Sequence, residues 1–250
     1  MRDDYFAKRV TVREYTGERI PDGMLDSILE RAMRAPTCGN MQLYSVVVTR
    51  DPVMKEKLNA LHFNQPAATG SDVILTVCAD FNRFSRWCEV SDAKPGYSNF
   101  HSFMMAMTDA VIFAQQIVTI AEMEGLGTCW LGTVNYNARE ISELLELPRL
   151  TVPVAALSLG FPRGETKQPE RLPLEAIVHK EKYRNDSDGE ISRLFIVKDE
   201  NADNEAFVRE NGKKTLAQVF TDVRYNRETN EAVSESFSTL LREKGFFRPG

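Results

Sequence analysis

The longest apolar stretch of the chain runs from Ser102 to Glu124, and the other elements are read around it. Apolar residues there cover most of a helical circumference rather than one stripe, and no proline or glycine interrupts them. That pattern predicts a helix buried on several sides. At ~1.5 Å per residue such a helix is about 30 Å long, as wide as a small domain, so other elements must pack around it. Asp109, Gln115, Gln116 and Glu122 break the apolar run and argue against a membrane span. Gly125 is placed to end the helix in a left-handed conformation. The glycine-spaced stretch after it, through Gly127 and on to Gly132, reads as a strand whose backbone can approach a neighbour closely.

Shorter periodicities supply the rest. Met24, Leu25, Ile28, Leu29, Ala32 and Met33 repeat every three to four residues, predicting a helix opened by Ile20-Pro21 and stopped by Pro36. Ser45–Arg50, Asp72–Ala79 and Thr151–Leu159 read as strands. The second is apolar almost throughout, as expected of a strand covered on both faces. Pro153 places the first residues of the third at a sheet margin. Asp51-Pro52 marks a helix start, and Asn137-Ala138-Arg139-Glu140 reads as a capping box. Tyr5–Val12 reads as a short helix or turn. Residues 84–100 mix Trp87, Tyr97 and Phe100 with charge and read as a loop, equally a lid or plain packing. From Lys180 to Asn211 the chain is polar and is expected to be flexible. Thr229–Lys244 reads as a closing amphipathic helix capped by Gly245. The expected organisation is a core over residues 1–180 and an extension over 181–250, packed on the core or on a partner chain.

Composition narrows the function classes. The 250 residues carry a formal charge of −5, which argues against a general nucleic-acid binder, and 42% hydrophobic residues supply a sizeable core. Four cysteines without close spacing predict reduced thiols and no metal site. The amino-terminal residues do not resemble a signal peptide, so a cytoplasmic protein without membrane association is expected. No GxSxG, HExxH, P-loop or GxGxxG motif is present, and His62, His101 and His179 are read as surface or satisfied histidines. A bound cofactor supplying the chemistry suits this absence of proton-transfer machinery. Arg9, Thr11 and Arg13 alternate in a way that suits a phosphate, and equally a solvated basic edge. Asn40 and Gln42, in the loop Pro36–Gln42, can read a ribityl chain or a ring edge, or hydrogen-bond the loop itself. Lys167 and Arg171 lie in a second basic, proline-bounded loop.

These pieces, in this order, resemble the FMN-dependent nitroreductase family, in its branch of NADPH-dependent flavin reductases and oxygen-insensitive nitroreductases. The resemblance is carried by Arg9-Val10-Thr11-Val12-Arg13, Pro36–Gln42, Gln65 and Cys78–Arg83. It continues through Gly125-Leu126-Gly127, Trp130-Leu131-Gly132, Gly160-Phe161-Pro162, Arg171-Leu172-Pro173 and Lys244-Gly245-Phe246. It implies an α+β fold, a mixed and mostly antiparallel sheet wrapped by helices, with the long helix at the interface of a homodimer. It implies non-covalent FMN held at the phosphate and ribityl chain by Arg9, Val10 (through its backbone), Thr11, Arg13 and Arg171. Thr37, Asn40 and Gln42 would line the flavin from the partner chain. Gln65 would meet the ring edge, and Trp130, Leu131 and Gly132 the other side, with the Gly132 amide near N5 or O4. Two departures stand out. Val10-Thr11 replaces the usual Arg-Ser, and Pro169 replaces a basic residue, for which Lys167 is the candidate substitute.

The activity implied is two-electron, ping-pong hydride transfer from NADPH or NADH through FMN to a small-molecule acceptor, a nitroaromatic, quinone or flavin. Arg209, Lys213 and Lys214 are the candidate partners of the NADPH 2′-phosphate. The alternatives are an FMN-dependent dehydrogenase or reductive dehalogenase of narrow substrate range, and a non-catalytic flavin-binding dimer.

Overall fold

A computed structural model describes residues 2–247; Met1 and residues 248–250, the ends of the expected core and extension, lie outside the described residues. The chain forms two compact units, residues 1–166 with 233–250, and residues 167–232. The expected boundary at 180/181 therefore lies inside the second unit, and the closing segment returns to the first.

In the first unit the chain runs α1 (Arg2–Lys8), α2 (Asp22–Ala32), β1 (Tyr44–Thr49), α3 (Pro52–Leu61), α4 (Pro66–Thr69) and β2 (Val73–Asp80). It continues through α5 (Asn82–Val90), α6 (Phe100–Met123), β3 (Gly127–Trp130), α7 (Ala138–Leu144) and β4 (Thr151–Gly160). The strands form one sheet in the order β1-β2-β4-β3, every pair antiparallel. This is the α+β architecture expected, a central sheet wrapped by helices. β2 is buried along its whole length, as its unbroken apolar run requires. Pro153 sits in β4 where β2 shifts register between Val77 and Cys78, and β3 pairs only with Leu157–Gly160, so the proline costs no bond to β3.

The long helix is α6. Asn99 caps it by accepting from the Ser102 N–H at 3.0 Å, and Gly125 ends it at φ 86°. Phe113, Ala114, Ile117, Val118 and Ala121 bury one face against the sheet and α2. α6 is long and apolar enough to cross a membrane by length and composition, but half of it is buried within this chain. Phe100, Met104, Ile112 and Met123 leave a second, exposed apolar stripe.

Residues 12–16 run beside β3 and β4. The Val12 N–H donates to the Thr128 carbonyl at 3.0 Å, and Thr16 to that of Phe161 at 2.9 Å. Gly127 and Gly160 are cross-strand partners. A Cβ on Gly127 would stand 2.6 Å from Val12, and one on Gly160 would stand 2.8 Å from the Tyr15 ring. Only glycine at both positions admits the segment this closely.

Three expectations are corrected. Residues 84–90 belong to α5, an amphipathic helix that turns Ser85 and Cys88 inward and leaves Trp87 exposed. The Asn137 side chain caps nothing. Its amide donates instead to the Leu61 carbonyl at 2.6 Å, a tertiary bond that outcompetes the local one. The polar stretch after Lys180 is largely helical: the second unit holds α8 (Asp188–Asp199), α9 (Ala202–Glu210) and α10 (Leu216–Val219). Ser187 and Glu190 make a full capping box, and Asn201 caps α9. α11 (Arg227–Glu243) closes the chain, and from Val233 on it belongs to the first unit, burying Leu240 and Leu241.

Candidate functional site

Arg9 leaves α1 at the start of the segment that docks on the glycine pair. Its guanidinium is held by Glu122 of α6, with Nε to Oε2 at 3.2 Å and Nη2 to Oε1 at 3.1 Å. Its Nη1 lies 3.4 Å from the Thr11 hydroxyl. Glu122 also accepts from the Tyr5 hydroxyl at 2.7 Å and from the Thr128 hydroxyl. Burial, then the bond to Glu122, pushes the Tyr5 phenol up to about 12, so it stays a donor. A cavity of about 380 Å³ opens here, lined by Tyr5, Lys8, Arg9, Val10, Val12, Glu122 and Leu126. Arg13 is exposed. Burial raises the pKa of the Cys129 thiol while Arg13 and Arg9 pull it back, so both guanidinium fields reach β3. The structure thus places Arg9, Val10, Thr11 and Arg13 on one segment beside β3, tied to it by the Val12 N–H.

The continuation of that strand carries Trp130, Leu131 and Gly132. The Leu131 N–H donates to the Ala156 carbonyl at 2.8 Å, tying the turn to β4. Gly132 opens a single 3₁₀ turn, Gly132–Asn135, so its N–H has no acceptor within the turn. No side chain caps it, and nothing lies within 4 Å of where its Cβ would stand. Gln65 precedes α4, half-buried, and its loop is bound to this turn by His62, whose Nδ1 lies 2.8 Å from the Thr133 hydroxyl.

The loop Pro36–Gln42 is built differently. Gly39, Asn40 and Gln42 all adopt positive φ, at 55°, 55° and 52°. Thr37 turns inward and accepts from the Gln42 N–H at 3.1 Å, so it shapes the loop. Asp109, buried in α6, accepts from the Cys38 N–H at 2.8 Å and the Leu43 N–H at 3.2 Å. Asp109 and Glu122 are the two acidic interruptions of the apolar helix. Each anchors one candidate loop, a role their sequence pattern does not reveal. Thirteen residues separate them, about 20 Å of helix, so within one chain the two loops are held apart.

In the second unit the Lys167 ammonium pairs with Asp203, and the Arg171 guanidinium folds onto the Glu170 carbonyl at 3.0 Å. Arg209, Lys213 and Lys214 do come together, around a cavity of about 670 Å³. Arg209 lies 3.8 Å from Glu205, and Lys213 3.0 Å from Asp222. Among the described residues no group of three or more His, Cys, Asp or Glu is placed to hold a metal ion.

The Nitroreductase family matches residues 6–161. An FMN reductase [NAD(P)H] from Bacillus subtilis is 35% identical over 207 residues, 82% of each chain. A crystal structure of a protein from Bacteroides fragilis, described as an oxidoreductase, superposes with a TM-score of 0.96 at 45% identity, covering 98% of this chain and 99% of that one. The structure of YcnD from Bacillus subtilis, described as a hypothetical oxidoreductase, gives a TM-score of 0.84 at 31% identity, covering 98% of this chain and 97% of that one. The chain belongs to the nitroreductase family, in its branch of NAD(P)H-dependent flavin reductases.

Proposed function

We propose that this chain is an FMN-dependent NAD(P)H oxidoreductase acting as a homodimer in the cytoplasm. The observation that carries the reading is the continuity of one strand. Arg9, Thr11 and Arg13 gather beside its start, and the uncapped Gly132 N–H stands at its end beside open space. That donor set suits FMN, an anionic phosphate at one end and a ring that gains electron density on reduction at the other. Bound FMN would supply a two-electron carrier between NAD(P)H and a nitroaromatic, quinone or free flavin acceptor.

The residues of this chain bind and orient. Glu122 fixes the Arg9 fork and leaves Nη1 facing Thr11, so the phosphate meets a preset guanidinium. Val10 offers backbone contacts only. Arg13 adds charge. Trp130 and Leu131 would cover one side of the ring, and the Gly132 N–H would favour the reduced form. Gln65 meets the ring edge. Thr37 keeps the shape of a loop whose Asn40 and Gln42 reach the flavin of the partner chain, which accounts for the separation of the two anchors along α6. The exposed stripe Phe100, Met104, Ile112 and Met123 is the surface for that partner. Arg209, Lys213 and Lys214 receive the 2′-phosphate of NADPH, which favours that donor over NADH.

Purified protein is expected to be yellow, with about one FMN per chain. Colourless protein that fails to quench added FMN in a fluorescence titration refutes the reading.

A further inference from the structure

His62 is fully buried, and its imidazole serves no step described above. It closes α3 and is followed by Phe63 and Asn64, both left-handed, and then by Gln65. Its Nδ1 lies 2.8 Å from the Thr133 hydroxyl, and its Nε2 is buried without a partner. Two further contacts join the same segments. The Asn137 amide donates to the Leu61 carbonyl at 2.6 Å, and the Phe63 and Tyr136 rings meet edge to face at 6.1 Å. Leu58, Leu131, Val134 and Ile141 pack in one cluster beneath them.

The pair has two possible polarities. If the Thr133 hydroxyl donates to Nδ1, the imidazole proton sits on Nε2 and is a buried donor with no acceptor. If Nδ1–H donates to Thr133, Nε2 carries only a lone pair. An orphaned lone pair is the less costly of the two. The second arrangement leaves the Thr133 hydroxyl proton free to point away from the histidine. Thr133 is half-buried and adjacent to Gly132.

We propose that buried His62 is a positioning residue that sets Thr133 as a second hydrogen-bond donor beside the Gly132 N–H, directed at the reduced flavin. The inference rests on the flavin reading above. A donor aimed where charge accumulates on reduction favours the reduced over the oxidised cofactor. Burial alone holds the imidazole uncharged, lowering its pKa to about 4.

The test uses the FMN-loaded protein and the variants Thr133→Val, Thr133→Ser and His62→Gln. The midpoint potential of the bound flavin is measured by dye equilibration, and the affinity for oxidised FMN by fluorescence. Thr133→Val is expected to weaken reduced over oxidised binding about tenfold, a midpoint lower by about 30 mV for a two-electron couple. Oxidised-FMN affinity should change less than twofold, and Thr133→Ser should restore the wild-type potential. A loss of packing alone would weaken both redox states together and leave the potential in place. In the apoprotein, imidazole ¹⁵N shifts should report the Nδ1–H tautomer of His62. An Nε2–H tautomer, an unchanged potential in Thr133→Val, or equal shifts in the Val and Ser variants each overturn the proposal. His62→Gln should shift the potential in the same direction as Thr133→Val, and if it folds and does not, the positioning role falls. Protein that binds no FMN removes the flavin reading itself, while the tautomer still decides the polarity of the pair.

Discussion

Replacing Asp109 by asparagine tests whether the middle of α6 holds the Pro36–Gln42 loop. The carboxylate is buried and accepts one backbone N–H on each oxygen, Cys38 at 2.8 Å and Leu43 at 3.2 Å. Asparagine keeps one acceptor and turns an NH₂ toward the other N–H. One hydrogen bond to a charged group is lost, about 1.5–3 kcal/mol, and the survivor becomes a weaker neutral bond. Relief of the buried charge offsets part of this, because the carboxylate has no cation beside it among the described residues. The Leu43 N–H is fully buried and cannot turn to water, whereas Cys38 is exposed, so the cost concentrates at Leu43. A net loss of about 3 kcal/mol lowers the melting temperature by roughly 6–12 °C in a chain of this size. Since Gly39, Asn40 and Gln42 occupy left-handed conformations that this carboxylate helps to hold, FMN affinity should fall by about tenfold as well, some 1.4 kcal/mol. Thermal melts of the apoprotein and FMN fluorescence titrations at one protein concentration separate the two effects. An Asp109→Asn protein that melts within about 1 °C of wild type refutes the anchoring role. One that is destabilised but binds FMN with unchanged affinity separates the loop from the flavin.

Light scattering at micromolar concentration should give a dimer, because Phe100, Met104, Ile112 and Met123 leave one stripe of a long apolar helix uncovered; a stable monomer counts against the shared site. Lys213→Ala with Lys214→Ala should raise the Michaelis constant for NADPH and leave that for NADH nearly unchanged. Loss of a charge-assisted bond of about 1.5–3 kcal/mol predicts ten- to a hundred-fold in kcat/KM, and stopped-flow reduction by each nucleotide checks it. Equal loss with both nucleotides dissociates the cluster from the 2′-phosphate. His62 makes stability depend on pH. Its folded pKa, about 4, lies below the unfolded 6.5, so the unfolded chain binds the extra proton between these values. Its contribution is therefore complete above pH 6.5 and is lost as the pH falls through 4, by about 3 kcal/mol at the limit. Melting curves from pH 7 to 4.5 should show a steeper fall for wild type than for His62→Gln.

Much of the fold is legible because burial writes itself into periodicity. The apolar run of β2, the repeat of α2 and the all-round apolar surface of α6 each reflect what covers them. Capping chemistry is legible where the partner is local, as at Asp51, which accepts from the Met54 N–H at 2.8 Å. It misleads at Asn137, where the partner is 76 residues away. The Ser187–Glu190 capping box was written in the sequence, but the polar composition around it obscured α8. Candidate site residues stand out when their chemistry is unusual for their place, such as the arginines of the 9–13 segment. Their supports do not stand out. Asp109 and Glu122 look like defects in an apolar helix, and only the fold shows which loop each one holds. His62 reads as an ordinary histidine until its burial and its single partner are known.

The paired glycines at 127 and 160 determine where the amino-terminal segment can be altered. Val12 and Tyr15 fit the two gaps like the two pins of a plug, and the Tyr15 hydroxyl lies within 3.0 Å of the Val12 carbonyl, locking their spacing. The basic side chains on either side of Val12 are thus indexed from within the chain rather than from its beginning. Extensions or affinity tags ahead of Tyr5 should leave that index untouched. Removing Glu14, the one residue between Arg13 and Tyr15, keeps every basic side chain of the segment yet unseats one pin, and with it the placement of Arg9, Thr11 and Arg13. For anyone grafting this segment onto another scaffold, the two missing methyl groups on the sheet are as necessary as the guanidinium groups they position.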